Sequence, residues 1–325
     1  GLADDSDMVR DVAMRAGQVI VNLHALTATG SLLPALEEGM YSDNWRIRQS
    51  SVQLLGDMLY RLAGNVKVVG MSGDEQDDGG HGTSHTMRAI TTRLGVERRD
   101  SVMSAVYIMR SDNSAVVRQV ALQVWKTIVD NTPRLLRDIL ATLVAQLIDS
   151  LASGNIDKRS IAGRCLGDIV RKLGERVLPE IIPILRDNLR SGDDGTRQGV
   201  CLGLSEVIGA GTKRQLDEYM EVVIPAIKDA LCDPCEEVRE AAAVAFSTLQ
   251  KTVGPRAVDD IIPSLLSALD TEDAEGSANA LHGLRQILHH RARDIMAYLV
   301  PKLTKLPITD FHARAIGAVA EATGP

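Results

Sequence analysis

Aromatic side chains are scarce in this sequence: two Trp, five Tyr and two Phe, 3% of 325 residues, although 45% are hydrophobic. A core with so few rings is built from Leu, Val, Ile and Ala, which suit many thin layers better than one thick centre. No apolar run approaches the roughly 18 residues that would mark a membrane-spanning helix. The first residues lack the charged-then-apolar pattern of a secretory signal. There are only four cysteines, and without secretory signals they fit a reducing compartment, cytosolic or nuclear. The balance of 36 basic and 43 acidic residues gives a net charge of −7, so the chain as a whole offers no reason to expect nucleic-acid binding, although a local basic stripe can hide within it. Phosphate-loop, dinucleotide, nucleophile-elbow and zinc-protease signatures do not occur. The expectation is no enzyme and no cofactor. Strand-like alternation is missing as well.

What the chain does contain is repetition. Aliphatics around a proline recur as "LLPAL" at Pro34, "IIPIL" at Pro183, "VIPAI" at Pro225, "IIPSL" at Pro263 and "LVPKL" at Pro301; the last four prolines lie 42, 38 and 38 residues apart. A second phrase follows: a turn, then an Arg, then a helical apolar pattern. Its arginines are Arg10, Arg48, Arg118, Arg159, Arg197, Arg239 and Arg314, with gaps of 38, 70, 41, 38, 42 and 75. The 70 is one period plus an insertion; the 75 is two periods, with Ser277 in the skipped Arg position. Seven residues after the Arg stand Leu55, Trp125, Leu166, Leu204 and Phe246, each a large apolar group. Each unit therefore reads as two helices and a turn, of the HEAT or armadillo class. One helix pair cannot bury its own stripe, so neighbours must stack.

The fold expected is all-α, a HEAT-repeat (armadillo-like) α-solenoid belonging to a longer superhelix. Residues 1–28 read as a half repeat, and 29–63, 98–130, 133–174, 175–210, 212–253, 255–290 and 291–323 as helix pairs. Residues 64–85, rich in Gly, Asp and Ser, read as a flexible loop insertion. Within it, Asp74, Asp77 and Asp78 fail the calcium-loop spacing because the twelfth residue is His85 rather than Glu. A proline inside a first helix is expected to kink it. The fourth pair carries Ala141 in that place and should be straighter.

Cys232-x-x-Cys235, with Cys165 and Cys201 upstream, is the one constellation that suggests metal or redox chemistry. Cys232 and Cys235 fall in a repeat turn, however, and the other two on second helices of different layers. Layers about 10 Å apart cannot gather four sulfurs around one zinc ion. A redox pair would normally sit near a βαβ pattern, so small buried residues are the expected role. The Asp and Arg residues of the turns, Asp43 with Arg48, Asp112 with Arg118, Asp193 with Arg197 and Asp233 with Arg239, read as a structural ladder. The acid would cap exposed N–H groups, and the Arg would bond an Asp of the next layer. Local basic clusters at Arg98 and Arg99, at Lys158, Arg159 and Arg164, and at Arg171, Lys172 and Arg176 are either solvated faces or a partner-binding edge for phosphate or acidic protein.

Specific wording goes beyond the repeat pattern. With "DNWRIRQSSVQLLGDMLYRLAG", "LGVERRDSV", "RCLGDIVRKLGERVLPEIIPILRDNLRS", "RQGVCLGLSEVI" and "ALCDPCEEVREAAA", the chain resembles the large general-control translational activators. The likeness runs from about residue 4 to residue 305 and is interrupted mainly by the insertion. It falls in that family's middle part, near the region similar to the HEAT domain of fungal elongation factor three. The resemblance implies a cytoplasmic, ribosome-bound, non-enzymatic scaffold. It would help a starvation-sensing protein kinase phosphorylate the alpha subunit of initiation factor two. It implies the ribosome as partner, through protein or RNA and the longer scaffold, and no membrane. The family's kinase-binding segment lies further towards the C-terminus and has no counterpart here. A generic HEAT adaptor, for nuclear transport or phosphatase assembly, is the alternative.

Overall fold

The computed structural model describes residues 1–64, 82–254, 256–269, 274–304 and 310–323, and all regular structure among them is helical. The chain divides into two compact units, Gly1–Gln146 and Leu147–Pro325, and the division falls within one helix, α7 (Thr132–Ala152). The residues between 65 and 81 of the expected loop insertion lie outside the described set.

The first unit contains α1 (Asp7–His24), α2 (Thr29–Met40), α3 (Trp45–Leu62), α4 (Gly82–Leu94), α5 (Val96–Met109), α6 (Ala115–Ile128) and the start of α7. Helix α3 packs against α1, α2 and α6, and α2 touches α5. Second helices thus lie beside second helices, and first beside first. Helix α4 differs from the sequence expectation, which ran the insertion to residue 85 and began the next pair at 98. Its buried Ile90 and the stop at Gly95, at φ 77°, define a helix of its own packed on α3, α5 and α6.

The second unit contains α8 (Ile156–Leu173), a 3₁₀ turn (Gly174–Arg176), α9 (Leu178–Asn188), α10 (Asp194–Ala210), the short α11 (Lys213–Asp217), α12 (Met220–Leu231), α13 (Glu236–Val253), α14 (Arg256–Leu269), α15 (Ala274–Leu303) and α16 (Asp310–Thr323). Helices α9, α12 and α14 form one layer, and α8, α10, α13 and α15 the other. The boundary expected between residues 290 and 291 falls inside α15, which runs for 30 residues as a single helix. No Gly or Pro stands between His289 and Leu299 to end it. No described helix is long and apolar enough to cross a membrane.

Periodicity in the sequence becomes periodicity of burial. Leu55, Trp125, Leu166, Leu204 and Phe246 are each at most 2% exposed. Complete burial of such a side chain is worth about 1.5–3 kcal/mol, so these positions anchor successive layers. The two places after Leu55 and after Leu204, a small residue and then an acid, divide the work. A small residue faces the following second helix: Gly56 lies against Val124, and Ser205 Oγ is 2.9 Å from Thr248 Oγ1. The acid faces the preceding one: Asp57 accepts from Gln18 Nε2 at 3.2 Å. The prolines Pro34, Pro183, Pro225, Pro263 and Pro301 all sit inside helices. There each removes a backbone donor, a cost the buried faces around it offset.

Candidate interaction surfaces

The Asp–Arg ladder has a geometry more specific than its spacing suggested. In the first unit Arg48 sends Nε and Nη2 forward to the two carboxylate oxygens of Asp112, at 2.8 and 3.0 Å. Its Nη1 reaches back to the carbonyls of Ser42 and Asp43 at 2.9 and 3.0 Å. The side chains of Arg48 and Asp112 are 5% and 0% exposed. Arg197 repeats the arrangement in the second unit, with Nε and Nη2 on Asp233 at 2.8 and 3.0 Å and Nη1 on the Ser191 carbonyl at 2.9 Å. The Asp233 bond holds the Arg197 guanidinium even more firmly in its charged form, against the opposing effect of burial. Arg118 and Arg239 show the backward half, donating to the carbonyls of residues 112 and 113, and of 233 and 234.

The capping role given to these acids needs correction. Of the four, only Asp193 is a helix N-cap. It accepts from the Thr196 N–H at 2.7 Å, and its bonds from Thr196 lower its pKa. Asp112 and Asp233 stand two residues before the caps Ser114 and Cys235, whose N–H groups donate to them at 2.7 and 2.9 Å. The acid thereby closes its own turn and presents both oxygens to the Arg of the layer before. Asp43 precedes the cap Asn44, which accepts from Arg46 N–H at 2.9 Å.

The cysteines do not come together as one constellation. Cys165 and Cys201 are buried, and burial, with Asp233 adding to it, pushes the Cys201 thiol up to about 12. Burial also raises Cys232, with Asp229 contributing. Cys235 is raised by burial and by its bond to Glu237, to which Sγ donates at 3.0 Å. A protonated thiol is a poor nucleophile and a poor metal ligand. Among the described residues no cluster of three or more His, Cys, Asp or Glu is placed to hold a metal.

The basic clusters fare differently from one another. Arg98 pairs with Glu37 across α5 and α2, where burial raises the Glu37 pKa against the pull of Arg98. Arg99 is mostly buried and donates through Nε to Asp100 at 2.7 Å and through Nη1 to Thr91 at 3.1 Å. Those two arginines are engaged in holding the first unit together. Arg99 also lines a cavity of about 390 Å³ with Arg88, Arg134, Asp130 and Asp138. Spacing alone did not reveal it, because α4 contributes Arg88 and the α6–α7 turn contributes Asp130. In the second unit, α8 and the 3₁₀ turn after it carry the remaining cations, of which Arg159 and Arg176 are exposed. Lys158 lies 3.6 Å from Asp149, Arg164 is exposed, and Arg171 and Lys172 approach Asp168 at 2.7 and 3.9 Å with more than half their side chains in solvent. Arg164, Arg171 and Lys172 are spaced by seven and eight residues, which places them along one side of the helix.

Residues 32–62 and 223–253, the pairs α2–α3 and α12–α13, match the HEAT repeat family model. The human stalled ribosome sensor GCN1 is 51% identical over 319 residues, 98% of this chain. The eIF-2-alpha kinase activator GCN1 of Saccharomyces cerevisiae is 38% identical over 325 residues, the whole of it. The chain belongs to the GCN1 family. It spans 12% of the length of each of these GCN1 proteins. Elongation factor 3 of Candida albicans is 24% identical over 127 residues, 39% of this chain and 12% of that protein. The GCN1 likeness therefore covers both units, whereas the elongation-factor likeness covers a minority of the residues.

Proposed function

We propose that the chain is a non-catalytic, cytoplasmic HEAT-repeat scaffold segment of a protein that senses stalled ribosomes and promotes activation of the kinase acting on initiation factor two. The observation that carries this reading is identity of 51% over 98% of the chain to a protein named as a stalled ribosome sensor. The repeats supply the physical reason a scaffold suits that role, since each layer contacts only its neighbours and the array offers long edges for docking.

The ribosome is the partner for this stretch, and the exposed cations of α8 are the surface that meets it. Arg164 is exposed and Arg171 and Lys172, although paired with Asp168, keep more than half of their side chains in solvent, so all three can face phosphate or acidic protein. Arg99 is mostly buried against Asp100, and Arg98 bridges two helices through Glu37. The net charge of −7 opposes approach to a polyanion, so association is weak and screened by salt. The kinase docks elsewhere on the longer scaffold. Co-sedimentation of the chain with ribosomes from amino-acid-starved cells tests both statements. Pelleting should be detectable at low salt, lost at moderate salt, and reduced at least threefold by Arg164→Glu/Arg171→Glu/Lys172→Glu with the helical signal intact. Pelleting that ignores these changes would place the contact on another edge, and a tight complex of this chain with the kinase would contradict the proposal.

A further inference from the structure

In the second unit the second helices α8, α10, α13 and α15 lie side by side, and a groove of about 660 Å³ runs across them. Its lining alternates two chemistries. Ile156 at the start of α8 is 73% exposed, and Val244 on α13 is 37% exposed, with Leu202 of α10 between them. The carboxylates are Glu206 on α10 and Glu237 and Glu240 on α13, the two middle helices. The cation Arg159 stands on α8, and His289 on α15. The acids thus occupy the centre and the basic groups the margins.

The positions follow from helix geometry. On α10, Leu202 and Glu206 are four apart; on α13, Glu237, Glu240 and Val244 are three and four apart. Each set therefore shares one face. Small residues make the floor. Gly163 of α8 leaves the room that Glu206 takes up: a Cβ there would stand 3.0 Å from Glu206 Oε1. The Ser205–Thr248 bond at 2.9 Å fixes α10 against α13, so the groove is preformed. Glu206 and Glu240 make no hydrogen bond or close ion pair among the described residues, and burial raises the Glu206 pKa, with the charge of Arg171 opposing. Among the described residues, the one side-chain hydrogen bond of Glu237 is from the neutral Cys235 thiol. Carboxylates beside exposed aliphatic side chains give the unit a surface whose two features one kind of chain can satisfy.

We propose that this groove docks a basic protein segment, one that brings two or three Lys or Arg side chains to Glu206, Glu237 and Glu240 and an apolar side chain to Ile156 and Val244. Charge complementarity selects this occupant over a nucleic acid, which the three carboxylates would repel. Three interhelix steps of about 10 Å give a length of about 30 Å. An extended segment at about 3.3 Å per residue covers that with nine or ten residues. The inference is separate from the ribosome reading, since it rests on carboxylates of α10 and α13 rather than on Arg164, Arg171 and Lys172, although Arg171 lies near enough to Glu206 to act on its charge.

Fluorescence anisotropy of the whole chain with labelled decapeptides tests it. The probe carries four Lys around a central Leu; its companions replace Lys by Glu, or Leu by Ser. The Lys/Leu peptide should bind at low salt and weaken as salt is added. Glu206→Gln/Glu240→Gln should reduce its affinity at least tenfold, and Ile156→Ser at least threefold. The charge-matched control Glu38→Gln/Glu97→Gln, on exposed acids of the first unit, should leave it unchanged. All of these are surface changes, and circular dichroism and melting of each variant should match the parent. Equal loss in the control would show only the pull of a net acidic chain and would overturn the docking site. So would an affinity indifferent to Ile156 and to the Leu, binding of the Glu peptide, or displacement of the Lys/Leu peptide from the groove by an oligonucleotide that itself binds there.

Discussion

At the scale of single residues, the recurrent Arg is the joint between layers. Its period was legible in the sequence, and so was the class of its acceptor, because an Asp recurs at the same phase. Its acceptor atoms were not legible. Arg48 bonds an Asp 64 residues on and Arg197 one 36 residues on, and each also ties down carbonyls of its own turn. Only the folded turn brings those carbonyls to one guanidinium. The Arg48–Asp112 pair is buried, so removing one partner leaves an uncompensated charge. Arg48→Met should cost about 3–5 kcal/mol, against about 0–1 kcal/mol for Arg171→Met, whose pair with Asp168 is solvent-exposed. Urea denaturation midpoints measure both. Arg48→Met/Asp112→Asn should recover part of the loss, because Asn still accepts from Ser114 N–H; equal costs at Arg48 and Arg171 would deny the ladder its role in holding layers together.

At the scale of helices, close approach depends on glycine. A Cβ at Gly199 of α10 would collide with the backbone carbonyl of Ile148, and one at Gly283 of α15 with that of Leu231. A backbone atom cannot swing aside as a flexible side chain can. Gly199→Ala and Gly283→Ala should each destabilise by about 1–3 kcal/mol through overpacking. Gly30→Ala in α2, which meets nothing within 4 Å, should instead gain up to about 1 kcal/mol from helix propensity. Thermal melts of the three variants decide it; a stabilised Gly199→Ala would mean that α7 and α10 are not in backbone contact. Most helices could be placed from the apolar period and its proline and Arg marks. Helix α4 was hidden by its neighbour, the Gly/Asp-rich stretch, although Met87, Ile90 and Leu94 followed by Gly95 carry a helical signal. The continuous α15 was hidden for the opposite reason: the repeat period required a break where the local sequence offers none.

At the scale of the whole molecule, the two units share one design, in which anchors such as Trp125 and Phe246 are buried between stacked pairs and the turns are tied by Arg. Charge serves that design at the turns, where Arg197 and Asp233 form a rung and Asp193 a cap, while burial keeps the Cys201 thiol protonated. Fold class and family wording could be read from the repeats, because stacking imposes a period on the sequence. The groove of the second unit could not, because Ile156 and Val244 look like any other apolar residues until the packing shows that they face outward. The most direct test of the scaffold role is a segment exchange. This chain would replace the corresponding stretch, 51% identical, in human GCN1, expressed in cells lacking their own, and phosphorylation of the alpha subunit of initiation factor two would be measured on amino-acid starvation. The exchange should restore phosphorylation to near the parental level, while a protein with the stretch deleted should not. Full restoration by the deleted protein, or none by a stably expressed exchange, would contradict the scaffold role.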